Sequence, residues 1–225
     1  QNVIGAYELV LNRKDISHLS LSRIFLQAFL PAIRKASASN PIICDQNHSL
    51  NVLSEDWRFC KSISLLIPSS SDAEIFFTRL RKELLTLATH EGSIPPRLKT
   101  LTEALAGQCY LNEYVYSTLQ DKKVMVAGLV NKASENQEAT NKFLAIVACY
   151  EAIHLTGIKP EFIKNYHTPD YYSKELIRSQ FNEPQEENEI KNSLQEKCII
   201  FDEISQRVQE MYEVNPYPRF KYSDF

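Results

Sequence analysis

Glycine is scarce in this chain. Gly5, Gly92, Gly107, Gly128 and Gly157 are the five among 225 residues. No two stand close together, so no phosphate-cradling loop can be written. That removes most nucleotide-dependent enzyme classes. Long hydrophobic runs are missing as well. No stretch reaches the roughly 18 apolar residues that a membrane-spanning helix needs, so no membrane partner is expected. No basic segment followed by an apolar core opens the chain, and a signal peptide is not evident. The chain begins at Gln1 without an initiator methionine, as expected of a processed product or of a piece of something longer.

Paired cysteines are also lacking. Cys44, Cys60, Cys109, Cys149 and Cys198 form no CxxC motif. Several of them fall in helical apolar patterns, where a free thiol behaves as a small hydrophobe. This usage points to free thiols in a reducing, cytoplasmic compartment. There is no excess of positive charge either. Lys and Arg total 25 against 28 Asp and Glu, a net charge of −3, which argues against a nucleic-acid partner. His18, His48, His90, His154 and His167 never pair at helical spacing, and HExxH and GxSxG are absent. Glu151 and His154 have the spacing of a di-metal carboxylate motif. The second such motif is missing, so no metal is expected.

What remains is ordinary globular composition with helical periodicity almost throughout. Ile24, Phe25, Ala28, Phe29, Ala32 and Ile33 predict a helix over about 20–37, kinked at Pro31. Residues 38–52 read as a loop with a turn at Asn40-Pro41. A short helix follows at 53–66. Ser69 to Ser71 offer caps for a helix over 72–90, with Glu74 placed for a capping box, and Gly92 ends it. Pro95-Pro96 opens a helix over 96–119. Residues 121–134 form another. Residues 138–156 are apolar nearly all round, the mark of a central helix, and Gly157 closes them. A short helix at 170–181 precedes a long one at 185–213, roughly 42 Å at 1.5 Å per residue.

The fold class is therefore all-α, an irregular bundle of about eight helices with a long C-terminal helix. Residues 1–183 form the helical domain. Residues 184–225 form the long helix and a proline-aromatic strap. No 34-residue helical-pair repeat is apparent. Arg79, Arg81 and Lys82 cluster beside Glu74 and Glu83, which reads as a solvated helix face.

Two segments stand out. On a helix over 96–119, Gln108 and Asn112 project into an apolar stripe that also holds Cys109, with Glu113 at its edge. Buried amides cost free energy unless hydrogen-bonded. They are expected to bond a neighbouring helix or loop and fix register, or else to line a pocket. In the second segment, Pro216 and Pro218 forbid a continued helix and push Asn215 and Tyr217 toward extended geometry. Tyr217, Arg219 and Phe220 then make a stiff aromatic strap suited to docking.

These two segments resemble the region preceding the catalytic domain in bacterial tetratricopeptide-repeat proteins fused to an S-adenosylmethionine-dependent methyltransferase. That family carries a helix similar to LAQQCFxNEYVF. Here it reads Leu105 to Tyr116 and includes Gln108, Cys109, Asn112, Glu113 and Tyr114. It also carries QYEENPYPRW, which here reads Glu210 to Phe220 and includes Asn215, Pro216, Tyr217, Pro218 and Arg219. Gly107 replaces a glutamine and Phe220 a tryptophan. Ile75 to Leu87 resembles a further family helix, LExLLTxLRRxLL. The resemblance implies a non-catalytic scaffold or substrate-recruiting region whose partner is an adjacent catalytic domain. It transfers no catalytic, cofactor-binding or metal residue. S-adenosylmethionine would belong to the full-length protein and not to this chain. The alternative is a stand-alone helical module that binds another protein.

Overall fold

The computed structural model describes residues 2–11, 13, 16, 18–116, 118, 120–166, 170–195, 205–207 and 211. Among these the fold is all-α and no strand occurs. The strap residues Asn215, Pro216, Tyr217, Pro218, Arg219 and Phe220 lie outside the described residues.

Eleven α-helices are present among the described residues, against an expected count of about eight. The difference arises where polar caps cut an apolar pattern. Helices α1 (Asn2–Leu11) and α2 (His18–Ser37) open the chain. In α2, Leu21, Phe25, Phe29, Ile33 and Ala36 form the buried stripe. Asn47 starts α3 (His48–Glu55) inside the expected loop. Its Oδ1 accepts from Leu50 N, while its Nδ2 donates to the carbonyls of Ala36 and Ile42. Asp56 is extended and ends α3. It then caps α4 (Trp57–Leu65) by accepting from Arg58 N at 2.9 Å. One expected helix thus becomes two.

Helix α5 (Ser71–Glu91) matches its expected span, and Gly92 ends it at φ 73°. Ser70 precedes it without a side-chain cap bond, so the expected capping box is not used. Phe25, Phe29, Phe59, Phe76 and Phe77 interlock with centroids 5.3–6.3 Å apart and tie α2, α4 and α5 into one core.

A 3-10 turn at Pro96–Leu98 leads into α6 (Lys99–Leu111). Leu101 to Ala106 and Gln108 to Leu111 are all buried, so α6 is enclosed on every side. It packs on α4 and α5 and on later helices too. The central helix is therefore α6 as well as the expected 138–156 segment. Helix α7 (Gln120–Ala133) pairs with α8 (Gln137–Val147), which Asn136 caps. α8 stops at Ala148, well before Gly157, and a 3-10 turn occupies Ile153–Leu155. Helix α9 (Pro160–Lys164) is short. Helix α10 (Tyr171–Ile177), a π-turn (Arg178–Asn182) and α11 (Glu183–Gln195) run on without a break. Of the expected long helix over 185–213, residues 185–195, 205–207 and 211 are described, and all are helical.

Candidate functional site

The segment that attracts notice in sequence, Leu105 to Tyr116, does not continue as helix to residue 119. α6 ends with Asn112 as its C-cap. Glu113 then takes φ 54° and Tyr114 φ 57°. Tyr114 N donates to Cys109 O at 2.8 Å and Glu113 N to Tyr110 O at 3.2 Å. This paired pattern is the Schellman helix ending, whose left-handed position is usually glycine. Here glutamate and tyrosine hold it. Two consecutive non-glycine residues at positive φ store backbone strain, which proteins keep mainly where a side chain must be aimed.

The side chain so aimed is Tyr114. Its hydroxyl donates to Gln180 Oε1 at 3.3 Å, and its ring meets Tyr110 edge-on at 6.4 Å. Gln180 sits fully buried in the π-turn. Its Nε2 donates to Ala106 O at 3.0 Å. One side chain of the π-turn therefore fastens both the body of α6 and the tyrosine beyond its end. Such turns recur at functional sites because they re-aim side chains.

Arg81 corrects the reading of its helix face as solvated. It is 2% exposed. Its Nη1 donates to Cys149 O at 3.1 Å, and its Nη2 donates to Tyr116 O at 2.9 Å and to Thr118 Oγ1 at 3.2 Å. The guanidinium carbon lies 4.4 Å from the Tyr150 ring centre and 5.4 Å from that of Tyr116. Its neighbour Arg79 is half-buried and donates to the carbonyls of Ser37 and Ser39, while Lys82 stays exposed. Burial pushes the phenols of Tyr116 and Tyr150 well up, against the opposing pull of Arg81, so both stay neutral.

Over this platform opens a cavity of about 520 Å³. Tyr114, Tyr116 and Thr118 line it from the turn after α6. Lys123, Val126 and Ala127 line it from α7. Tyr150 and Glu151 complete it from the turn after α8. Its volume is typical of a small-molecule site.

The candidate residues divide around this cavity. Tyr114 is in its wall. Gln108 is fully buried and meets the Tyr116 phenol, a contact that lowers that phenol against burial, while neither of its amide atoms makes a hydrogen bond of standard geometry. Asn112 is half-buried and its Oδ1 is likewise unpartnered. Cys109 is buried next to Cys149, which burial and this neighbour raise well above the usual thiol value. Glu113 is exposed. Arg81, Lys123, Tyr150 and Glu151 were not singled out as one site, because three separate segments supply them.

A second polar cluster lies on another face of α6. Glu103 is 2% exposed, and its Oε1 accepts from Tyr166 Oη at 2.8 Å and Ser173 Oγ at 2.7 Å. Burial raises its carboxyl above the usual range. The cluster ties α6 to α10. Among the described residues no group of three or more His, Cys, Asp or Glu is placed to hold a metal, and no helix is long and apolar enough to cross a membrane. No protein-family model, curated protein or solved structure matches the chain.

Proposed function

We propose that this chain is the non-catalytic, substrate-recruiting helical region of a cytoplasmic S-adenosylmethionine-dependent methyltransferase protein, and that the cavity beside α6 is its recruiting site. The observation that carries the reading is the strained left-handed pair Glu113–Tyr114. It belongs to the segment that resembles the methyltransferase-fused family, and it turns Tyr114 into the cavity wall. Strain of this kind persists where surrounding structure over-determines it for a purpose. The same segment supplies no glycine turn at a strand end, the usual cradle for an adenosine-bearing cofactor.

The test is cofactor uptake by two proteins in equilibrium dialysis. The full-length product of the reading frame takes up S-adenosylmethionine at low micromolar concentration, and residues 1–225 alone do not. Uptake by residues 1–225 would overturn the non-catalytic reading. Failure of the full-length product to bind would overturn the methyltransferase association and favour a stand-alone interaction module. That second reading draws on α7, whose positions Val124 and Gly128 are exposed and apolar.

A further inference from the structure

We propose that the cavity beside α6 binds a small zwitterion, an α-amino acid with an apolar or aromatic side chain. The inference rests on the reading of this cavity as the recruiting site, and it names the ligand class.

Among the described residues, Lys123 and Glu151 are the ionised side chains in its lining, one on α7 and one after α8. They do not pair with each other, and neither belongs to an ion pair among the described residues. Elsewhere on this surface neighbouring opposite charges close on each other, as Lys142 does on Glu138 at 2.7 Å. Two opposite charges in one lining that do not pair with each other complement a ligand that carries both signs.

The neutral hydroxyls sharpen this. Tyr150 Oη donates to Arg81 O, Tyr114 Oη to Gln180 Oε1 and Thr118 Oγ1 to Tyr116 O. With those protons committed, these three hydroxyls offer lone pairs only, and the charged donor in the described lining is Lys123. A ligand carboxylate therefore finds its donor at Lys123. A ligand ammonium finds Glu151.

Charge of a single sign fits less well. Tyr116 and Tyr150 would suit an aromatic cage for a cation. Arg81 already lies against both rings and draws their π density toward itself. A ligand with only a negative charge would leave Glu151 opposing it. Apart from the two charges and Thr118, the described lining is apolar and aromatic: Val126, Ala127 and three tyrosines. That places the side chain of the amino acid. The rings are held from behind by Arg81, so the site is formed before the ligand arrives.

The test is calorimetric titration of the 225-residue chain with four probes. They are L-phenylalanine, phenylacetate, phenethylamine and N-acetyl-L-phenylalanine amide. L-Phenylalanine binds, and each of the other three binds at least about tenfold more weakly, since each loses one or both charge contacts. Lys123→Gln abolishes the preference for L-phenylalanine over phenethylamine. Glu151→Gln abolishes the preference over phenylacetate. Both side chains reach the surface, so both variants keep the wild-type melting temperature. Equal binding of the neutral amide overturns the proposal, as does equal binding of phenethylamine, which marks a cation cage. Absence of L-phenylalanine binding at millimolar concentration also overturns it, and so does indifference to both substitutions. None of these outcomes changes the dialysis result for S-adenosylmethionine, so the two readings fail separately.

Discussion

Tyr150 is bound to Arg81 twice. Its hydroxyl donates to the Arg81 carbonyl at 2.9 Å, and its ring lies 4.4 Å from the guanidinium carbon of the same residue. Arg81 also holds the carbonyls of Tyr116 and Cys149. One side chain on α5 thereby joins the turn after α6 to the turn after α8, the two non-helical walls of the cavity.

Arg81→Ala is expected to destabilise the chain by roughly 3 kcal/mol, because Cys149 O loses its donor, Tyr116 O keeps only the long bond from Thr118, and each lost buried bond costs about 1–3 kcal/mol. Arg81→Lys keeps the charge but loses the planar fork that reaches both carbonyls, so it recovers less than half of the loss. Urea unfolding of the three proteins checks this. Wild-type stability in Arg81→Ala would mean that the two turns are held by other contacts.

Glu113→Gly is expected to stabilise the chain by about 0.5–1 kcal/mol. The left-handed position costs glutamate roughly 1–2 kcal/mol of steric strain that glycine avoids, less glycine's greater loss of chain entropy. The Glu113 side chain is exposed, so little contact is lost. A lower midpoint of denaturation in this variant would contradict the left-handed ending.

The same residues show what the sequence made legible. Gly92 marks the end of α5 because glycine is the usual signature of a left-handed cap, and the structure agrees. The end of α6 carries no such mark. Leu111, Val115 and Tyr116 continue the apolar spacing through a turn, so periodicity alone runs the helix on to 119. The same happens beyond Ala148, where Cys149 and Tyr150 stay apolar in a turn and Ile153 starts a separate 3-10 segment. Asp56 and Asn47 cut or start helices through single side-chain bonds, which spacing does not register. Of the site, the motif segment with Tyr114 was visible. Lys123 and Glu151 were not, since only the pairing of α7 with α8 brings them to one cavity.

Gln108→Met is expected to leave stability unchanged or raise it by about 1 kcal/mol. A buried amide without a hydrogen bond of standard geometry carries a desolvation cost that its contact with the Tyr116 phenol offsets only in part, and methionine fills similar space. Thermal melting of the variant checks this. A marked loss of stability would show that Gln108 completes a bond with the neighbouring Tyr116 hydroxyl.

Glu103 gives a pH signature. Burial raises its folded-state pKa, Asp170 adds to the rise, and Ser173, Tyr166 and Lys99 oppose it. The folded chain therefore holds this proton more tightly than the unfolded chain does. Its stabilising effect is present in full below the ordinary glutamate value and is lost as pH rises through the folded value. Relative to Glu103→Gln, which stays neutral, wild type loses stability across that window. Denaturation midpoints of both proteins from pH 4 to pH 7 check the sign, and a difference that grows in favour of wild type with rising pH would contradict it.

The account turns on the cavity beside α6 as the place where this chain recruits its ligand. Ring-labelled tyrosine NMR of the 225-residue chain, titrated with L-phenylalanine, tests that most directly. The ring resonances of Tyr114, Tyr116 and Tyr150 are expected to shift together along one binding curve, while the buried ring of Tyr7 between α1 and α4 stays in place. Shifts confined to tyrosines outside the cavity, or no shift in any of the three, would contradict it.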